Sequence, residues 1–260
     1  MSFSLRGKHA VVTGATGAIG FRIAAAFAER GSVVTLLSRS APDARLSLEH
    51  QLTPYQPDPE RKNMGDEFPE VHRFVRLDAT KSTMFKGLFG STVGPVDVLV
   101  NCAGVSQTSF IKRTSDEDIR NILDTNLQSA ILASKYAKMN AHGMSSKLYS
   151  SNAQSYITSL RLHHQCLESD GQQEWSWCFS VRRFKGWPRR YAYNIPIFCY
   201  KQPKLLYMPK SLIRSLHILA AFTRALATEY SPRSIRVNAL LPGWIASPMW
   251  DRESIPPFAS

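Results

Sequence analysis

The chain has 260 residues, of which 43% are hydrophobic and 20% are charged, and its formal net charge is +12. These values are typical of a folded domain with a sizeable core and exclude a disordered or collagen-like chain. No run of about 18 apolar residues occurs and the first residues carry no apolar leader, so we expect neither a membrane span nor a secretory signal. The four cysteines have no CxxC spacing, which argues against zinc and favours an intracellular protein of the cytoplasm or mitochondrial matrix.

Short apolar strands alternate with amphipathic helices from His9 to about Lys138, a rhythm that predicts a parallel sheet with helices on both faces. Strands are predicted at 10–13, 33–37, 74–77, 96–100 and 235–240. Helices are predicted at 19–30, near 46–52, at 115–138 and at 219–230. Gly31 is expected to end the first helix and the Ser115 hydroxyl to cap the start of the third.

A glycine-rich segment, Thr13-Gly14-Ala15-Thr16-Gly17-Ala18-Ile19-Gly20, follows the first predicted strand and precedes the first helix. Small residues at such a turn let the backbone approach a pyrophosphate, which the N–H groups of the helix N-terminus bind. The segment therefore predicts a nucleotide-binding loop, although a simple glycine-rich turn would have the same composition.

The second predicted strand ends at Ser38-Arg39, where an NAD site usually presents a carboxylate to the ribose. An arginine there can instead pair with the 2′-phosphate of NADP through a charge-assisted contact. We therefore expect NADP (NADPH) as the cofactor. The alternative is that Arg39 is a solvated surface residue.

Together with the glycine-rich segment, several later motifs resemble the short-chain dehydrogenase/reductase family. They are Asp78, Asn101-Cys102-Ala103-Gly104, Asn126 and Pro242-Gly243-Trp244-Ile245-Ala246-Ser247. Within the family the sequence is most similar to the 3-oxoacyl-[acyl-carrier-protein] reductases of fatty acid biosynthesis. The resemblance implies a Rossmann-like, doubly wound parallel sheet and an NADPH-dependent oxidoreductase acting on CH–OH groups. Its substrate would be a small or acyl-carrier-bound carbonyl compound, such as a 3-oxoacyl thioester.

The resemblance also implies roles for individual residues. Asp78 would bond the adenine amino group, unless it is only a helix N-cap. Asn126 would bind the water that feeds a proton relay, unless it is only a polar residue on an amphipathic helix. The cofactor-binding residues that the resemblance implies are Gly14, Thr16, Ala18, Ile19, Gly20, Arg39, Asp78, Asn101, Ala103, Gly104, Pro242, Gly243, Ile245 and Ser247.

The family's chemistry requires a serine that polarises the carbonyl, a tyrosine that donates the proton, and a lysine four residues after the tyrosine. By the family's usual spacing before Arg224, the tyrosine and lysine positions hold Leu212 and Leu216. The remaining candidates are Ser151 for the serine and Tyr200 with Lys204 for the pair. Pro203 lies between the last two and would disrupt a helix there.

The segment that should contain these groups, residues 145–216, shows neither helical nor strand periodicity. We therefore divide one predicted domain, 1–260, into a dinucleotide-binding half (1–144), an irregular segment (145–216) and a C-terminal remnant (217–260) without the family's last strand. Residues 145–217 carry eleven basic and three acidic side chains, a net charge of +8. The segment is either a genuine insertion that reshapes the substrate pocket or recruits a partner, or the product of mis-splicing or a frameshifted gene model.

Three functions are compatible with this sequence. The first is the NADPH-dependent reductase, and the second is a catalytically impaired NADP-binding protein. The third is a nucleic-acid-interacting protein that uses the basic residues of 182–190, although we expect neither nucleic acid nor a membrane as the partner. The family's homo-oligomer is doubtful here, because a missing last strand would leave a sheet edge exposed.

Overall fold

The computed structural model describes residues 5–57, 68–106, 111–139, 160–169, 172–181, 195–196, 210–233 and 235–240. The strands are β1 (His9–Thr13), β2 (Val33–Ser38), β3 (Arg73–Arg76), β4 (Pro95–Val96), β5 (Val98–Asn101), β6 (Lys138–Met139), β7 (Leu160–Ser169), β8 (Gln172–Val181) and β9 (Ile195–Pro196). The α-helices are α1 (Ala18–Ala28), α2 (Arg45–Leu48), α3 (Ser82–Gly87), α4 (Asp116–Leu123), α5 (Ser129–Tyr136) and α6 (Lys210–Tyr230). No helix in these ranges is long and apolar enough to cross a bilayer.

The central sheet has five parallel strands in the order β3-β2-β1-β5-β9. All five residues of β1 and the first five of β2 are buried, since helices cover both faces of the sheet. Such strands read as continuous apolar runs, which explains why the sequence predicted them. The strand order reverses between β1 and β5, and this reversal opens a crevice at the carboxyl edge of the sheet. The predicted Rossmann-like fold is confirmed.

One strand was predicted at 96–100, but the structure interrupts it at Asp97. The Asp97 carboxylate accepts the His9 N–H at 2.9 Å and lies 3.5 Å from the Lys8 ammonium. Because Asp97 is held in this way, the chain forms β4 before it, paired with β6, and β5 after it.

The single helix predicted at 115–138 is interrupted as well. The structure places a π turn at Asp124–Gln128 between α4 and α5. The predicted cap is confirmed, since the Ser115 hydroxyl accepts the Asp118 N–H at 3.1 Å. Helix α1 ends at Ala28 with Glu29 as its C-cap, two residues before the predicted end, and Gly31 lies just beyond that cap with a φ of +85°, which suits glycine. The π turn matters because it contains Asn126.

The prediction of an irregular segment at 145–216 is wrong where the structure describes it. Strands β7 and β8 pair in an antiparallel ladder from Leu160 opposite Val181 to Ser169 opposite Gln172. Two sequence signals were overlooked: the period-two pattern of Trp175, Trp177, Phe179 and Val181, and the Asp170-Gly171 dipeptide, which favours two-residue hairpin loops.

Two further boundaries near the C-terminus differ from prediction. Helix α6 begins at Lys210, nine residues before the predicted start at Leu219. Residues 235–239 form no ladder, and Leu240 makes a single bridge, so the strand predicted at 235–240 is wrong. Ile235 and Val237 are nevertheless buried, so the alternation that suggested a strand reflects core packing alone. Residues 241–260, including the region of the expected missing strand, lie outside the described ranges.

Candidate cofactor-binding site

The glycine turn lies at the carboxyl edge of the sheet, between β1 and α1. Gly14 has a φ of +65°, a conformation that L-residues with a Cβ rarely adopt. A Cβ added to it would lie 2.7 Å from both the Ala103 Cα and the Cys102 carbonyl oxygen. The turn therefore rests directly on the backbone that follows β5, with no room for a side chain.

The N-terminus of α1 is open toward this crevice. Gly17 is the N-cap residue, and no described side chain caps the helix. A Cβ on Gly20 would lie 2.3 Å from the Gly14 carbonyl oxygen, so the first helical turn also packs tightly on the glycine turn. Ala18 is exposed, and Ile19 packs partly against the core. Uncapped N–H groups at a helix N-terminus suit a phosphate, so the residues present fit a dinucleotide.

Thr13 has a function that the sequence alone did not reveal. Its buried hydroxyl accepts the N–H groups of Cys102 at 3.1 Å and Ala103 at 3.3 Å, and it donates to the Val100 carbonyl at 3.4 Å. These bonds fasten the segment after β5 to the end of β1. The one signal in the sequence is that Thr13 is the polar residue that ends an apolar strand.

Asn101 ends β5 and is buried. Its Nδ2 donates to the Ser134 hydroxyl at 3.2 Å and lies 3.5 Å from the Ala130 carbonyl, which ties the sheet to α5. The Tyr230 hydroxyl donates to the Ser134 carbonyl at 3.0 Å. Burial and the nearby Glu229 raise the pKa of Tyr230, so its hydroxyl keeps the proton that it donates. Asn101 therefore stabilises the central strand, while its predicted contact with the cofactor stays a prediction.

Asn126 lies in the π turn and contacts the segment after β5. Its Oδ1 accepts the Val105 N–H at 2.8 Å, and its Nδ2 donates to the Val105 carbonyl at 2.9 Å. A Cβ added to Gly104 would lie 3.6 Å from the Asn126 Oδ1, an ordinary contact. The structure thus brings Asn126 beside Ala103 and Gly104, with Val105 as its backbone partner.

A cluster of hydroxyl groups lies at the end of β2. The Thr16 hydroxyl donates to the Ser38 Oγ at 2.9 Å and lies 3.1 Å from the Ser40 Oγ. Arg39 stands between the two serines and is exposed. Thr16 and Arg39 were predicted from the sequence, whereas Ser40 was not and is identified by its distance to Thr16.

Asp78 follows β3 and closes a tight turn. Its Oδ1 accepts the Thr80 N–H at 3.1 Å and the Thr80 hydroxyl at 2.8 Å. Burial alone would raise the pKa of Asp78, but the two bonds from Thr80 and the positive charges of Lys81 and Arg39 outweigh it and lower that pKa below its usual value. The carboxylate therefore stays ionised at neutral pH. The N-cap of α3 is Lys81, so Asp78 is not that cap.

The structure brings most of the predicted cofactor residues together at one edge of the sheet. Those that it describes are Gly14, Thr16, Ala18, Ile19, Gly20, Arg39, Asp78, Asn101, Ala103 and Gly104. The predicted residues that lie outside the described ranges are Ser151, Tyr200, Lys204, Pro242, Gly243, Ile245 and Ser247. The basic segment 182–190 also lies outside these ranges. Their predicted functions stay predictions.

Comparisons with known families agree with this geometry. A model described as short chain dehydrogenase matches residues 8–146, more than half of the chain. A second model, described as enoyl-(acyl carrier protein) reductase, matches residues 214–258. The matched ranges flank the segment that contains β7, β8 and β9.

Individual relatives show the same similarity at low identity. The NADP-dependent (R)-specific alcohol dehydrogenase of Lentilactobacillus kefiri is 26% identical over 256 residues, which cover 96% of this chain and 78% of the relative. A 3-oxoacyl-[acyl-carrier-protein] reductase of Chlamydia muridarum is 30% identical over 132 residues, covering 50% and 48%. The crystal structure of a 3-oxoacyl (acyl-carrier-protein) reductase from Agrobacterium tumefaciens with NADP bound superimposes with a TM-score of 0.61, at 17% identity, covering 98% and 77%.

Proposed function

The chain belongs to the short-chain dehydrogenase family of oxidoreductases, and from this we propose that it binds NADPH and reduces a carbonyl compound such as a 3-oxoacyl thioester. The observation that carries the proposal is the glycine turn at the carboxyl edge of the sheet, beside the reversal of strand order between β1 and β5. In open α/β sheets this crevice is where ligands bind. The open N-terminus of α1 supplies N–H groups for the pyrophosphate.

The preference for NADPH over NADH is supported by the groups at the end of β2. The Ser38 and Ser40 hydroxyl groups both lie within hydrogen-bond distance of the Thr16 hydroxyl, and Arg39, between the two serines in sequence, adds a positive charge. Hydroxyl and guanidinium groups donate hydrogen bonds that a phosphate can accept. Position 39 holds an arginine and not a carboxylate, which would repel the phosphate. Two of the relatives are described as NADP-dependent or NADP-bound, which agrees with this choice.

We expect the Arg39→Glu substitution to weaken NADPH binding by about 10-fold to 100-fold, because it removes a charge-assisted contact worth about 1.5–3 kcal/mol and adds a repulsive carboxylate. NADH has no 2′-phosphate, so its affinity should stay the same or increase. Calorimetric titration of both cofactors measures this effect.

The matched control is Lys86→Glu, which makes the same change of charge at an exposed position of α3. It should leave both affinities unchanged. Equal losses of NADPH and NADH affinity in Arg39→Glu would contradict a contact with the 2′-phosphate.

For the reaction, the named relatives act on alcohols or 3-oxoacyl groups, which supports a carbonyl substrate for this chain. Bound NADPH supplies the hydride, and the protein must supply a proton to the carbonyl oxygen. We propose Tyr200 for this step, and we assign Lys204 and Ser151 to the functions of the family's lysine and serine. In support, β9 pairs with β5 so that Pro196 lies opposite Asn101, at the carboxyl edge. Four residues span at most about 14 Å, so chain connectivity allows Tyr200 to reach the crevice.

A second candidate function is NADP binding without turnover. It is favoured by α6, which begins at Lys210 and so includes both positions where the family's spacing expects the tyrosine and the lysine. Those positions hold Leu212 and Leu216, neither of which can donate a proton. On this alternative the cofactor site is retained and the proton donor is lost.

One experiment on the full chain separates the two candidates. NADPH binding is measured by titration, and NADPH oxidation is followed with an acetoacetyl thioester as the substrate. Binding together with oxidation above background is the result expected for the reductase. Binding without oxidation would replace it with the second candidate, and the absence of binding would contradict both.

A further inference from the structure

We infer that the ion pair between Arg76 and Asp43 positions the turn at residues 39–44, and thereby holds Arg39 where it can meet the 2′-phosphate of NADPH. This inference rests on the proposed cofactor site and specifies how that site obtains its preference for NADPH over NADH. Arg76 and Asp43 are assigned no contact with the cofactor; they act through the turn that carries Arg39.

The first observation is the geometry of the ion pair. The Arg76 Nη2 donates to the Asp43 carboxylate, to Oδ2 at 2.9 Å and to Oδ1 at 3.1 Å. Arg76 is the last residue of β3 and lies opposite Ser38, the last residue of β2, in the parallel ladder. Asp43 follows Ser38 by five residues. The ion pair therefore brings the chain, after it has left β2, back to the end of the neighbouring strand.

The second observation is that the start of the same turn is held by other contacts. The Ser38 carbonyl accepts the Leu77 N–H at 3.0 Å. The Thr16 hydroxyl lies within hydrogen-bond distance of both the Ser38 and the Ser40 hydroxyls. Within the turn, the Ala44 N–H donates to the Ser40 carbonyl at 2.9 Å. The ion pair thus fastens the far end of a turn whose near end is bound to the glycine turn and to β3.

The third observation concerns the position of the Arg39 charge. Burial would raise the pKa of Asp78, but the bonds from Thr80 and the positive charges of Lys81 and Arg39 lower it below its usual value. Asp78 follows Arg76 by two residues, so Arg39 acts on a group at the end of β3. This is the end of the sheet to which the ion pair holds the turn.

The ion pair is suited to act on the turn and not on the stability of the whole fold. Arg76 and Asp43 are 59% and 67% exposed, and an exposed ion pair stabilises a fold only slightly. Its loss should therefore leave the sheet intact and release one end of the turn. A released turn must be ordered again when NADPH binds, which lowers the affinity. NADH has no 2′-phosphate for Arg39 to bind, so its affinity does not include this cost.

The test uses three variants of the 260-residue chain: Asp43→Ala, Arg76→Met and the double variant that combines them. Calorimetric titration measures their affinities for NADPH and for NADH. We expect all three to bind NADPH about 2-fold to 5-fold more weakly than the unsubstituted chain, because each lacks the same ion pair. The affinity for NADH should be unchanged, whereas a general loss of stability would weaken the binding of both cofactors.

The double variant separates positioning from a simple effect of charge. It has the net charge of the unsubstituted chain, since one positive and one negative side chain are removed together. If the two residues acted only through their charges on the phosphate, Asp43→Ala alone would tighten NADPH binding, and the double variant would bind NADPH like the unsubstituted chain. Either result would overturn the inference, and so would an unchanged NADPH affinity in all three variants.

The matched control removes a second exposed ion pair, which follows the turn in sequence. Arg45 and Glu49 form this pair with an N–O distance of 2.9 Å, the same as in the pair of Arg76 with Asp43. The combined substitution Arg45→Met and Glu49→Ala also keeps the net charge. It should leave the affinities for NADPH and NADH unchanged. Weaker binding of NADPH in this control, equal to that of the double variant, would contradict a specific function of the Arg76–Asp43 pair.

Hydrogen exchange of the Ala44 amide tests the turn without any cofactor. Arg76 lies far from Ala44 in sequence, so Arg76→Met does not alter the intrinsic exchange rate of this amide. We expect the Ala44 amide to exchange about 2-fold to 5-fold faster in Arg76→Met than in the unsubstituted chain. Equal protection would overturn the inference and leave the proposed cofactor site intact. Faster exchange in a chain that binds neither cofactor would instead contradict the proposed cofactor site, and the selectivity function with it.

Discussion

Replacement of Gly14 by alanine will reduce NADPH affinity by at least about 100-fold, an effect of about 3 kcal/mol. Two causes add together. The φ of +65° is unfavourable for any residue with a Cβ, by about 1–2 kcal/mol. The new Cβ would also lie 2.7 Å from the Ala103 Cα and the Cys102 oxygen, and these are backbone atoms that cannot rotate away. The turn must therefore move out of the position that the pyrophosphate needs.

The measurement is a calorimetric titration with NADPH, with circular dichroism to show that the variant is folded. The matched control is Gly90→Ala, since a Cβ at Gly90 meets nothing within 4 Å. That variant should bind NADPH like the wild type. A folded Gly14→Ala protein with wild-type affinity would show that the glycine turn does not hold the cofactor.

Replacement of Tyr200 by phenylalanine will lower the rate of carbonyl reduction by about 10²-fold to 10⁴-fold, which is the usual contribution of a general acid. The change removes one hydroxyl and nothing else, so NADPH affinity should change little. A loss in kcat with an unchanged cofactor affinity is the signature of a lost proton donor. Steady-state NADPH oxidation with an acetoacetyl thioester measures it.

Tyr207→Phe is the control for this experiment, because Tyr207 lies in the same part of the sequence and has no lysine four residues later. It should retain the wild-type rate. If Tyr200→Phe also retains that rate, or if the wild type oxidises no NADPH, Tyr200 is not the acid, and the leucines at 212 and 216 become the better guide to the function.

The core of the fold could be predicted because parallel strands buried on both faces leave a direct trace in the sequence. β1 and β2 are mostly apolar and almost fully buried, and α1 carries an apolar face that packs on the core. The interruption at Asp97 could not be predicted in the same way. It depends on the His9 N–H and the Lys8 ammonium, groups that lie far away in sequence.

In the segment between the two family-like parts, the strands could not be predicted even though the sequence contains a signal for them. Its scattered prolines and basic residues concealed the alternation of Trp175, Trp177, Phe179 and Val181, although alternation with a two-residue turn is the usual mark of a hairpin. The strand expected at 235–240 failed for a related reason. Alternate burial of Ile235 and Val237 satisfies the core without any ladder, so the same pattern fits two structures.

At the candidate site, the residue types were predictable and their partners were not. Glycines, Arg39 and Asp78 could be recognised from their positions after strands. The bonds of Thr13 and Asn126 run to backbone groups of residues 102–105, and backbone groups carry no sequence signal. For this reason the supporting contacts of the site emerged only from the structure.

The central claim is that this chain carries an NADPH site at the carboxyl edge of its sheet. Titration of the unsubstituted 260-residue chain with NADPH and with NADH under the same conditions tests it most directly. We expect NADPH to bind at least about 10-fold more tightly than NADH, an advantage of about 1.4 kcal/mol from the groups around Arg39. Equal or tighter binding of NADH, or binding of neither cofactor, would contradict the claim.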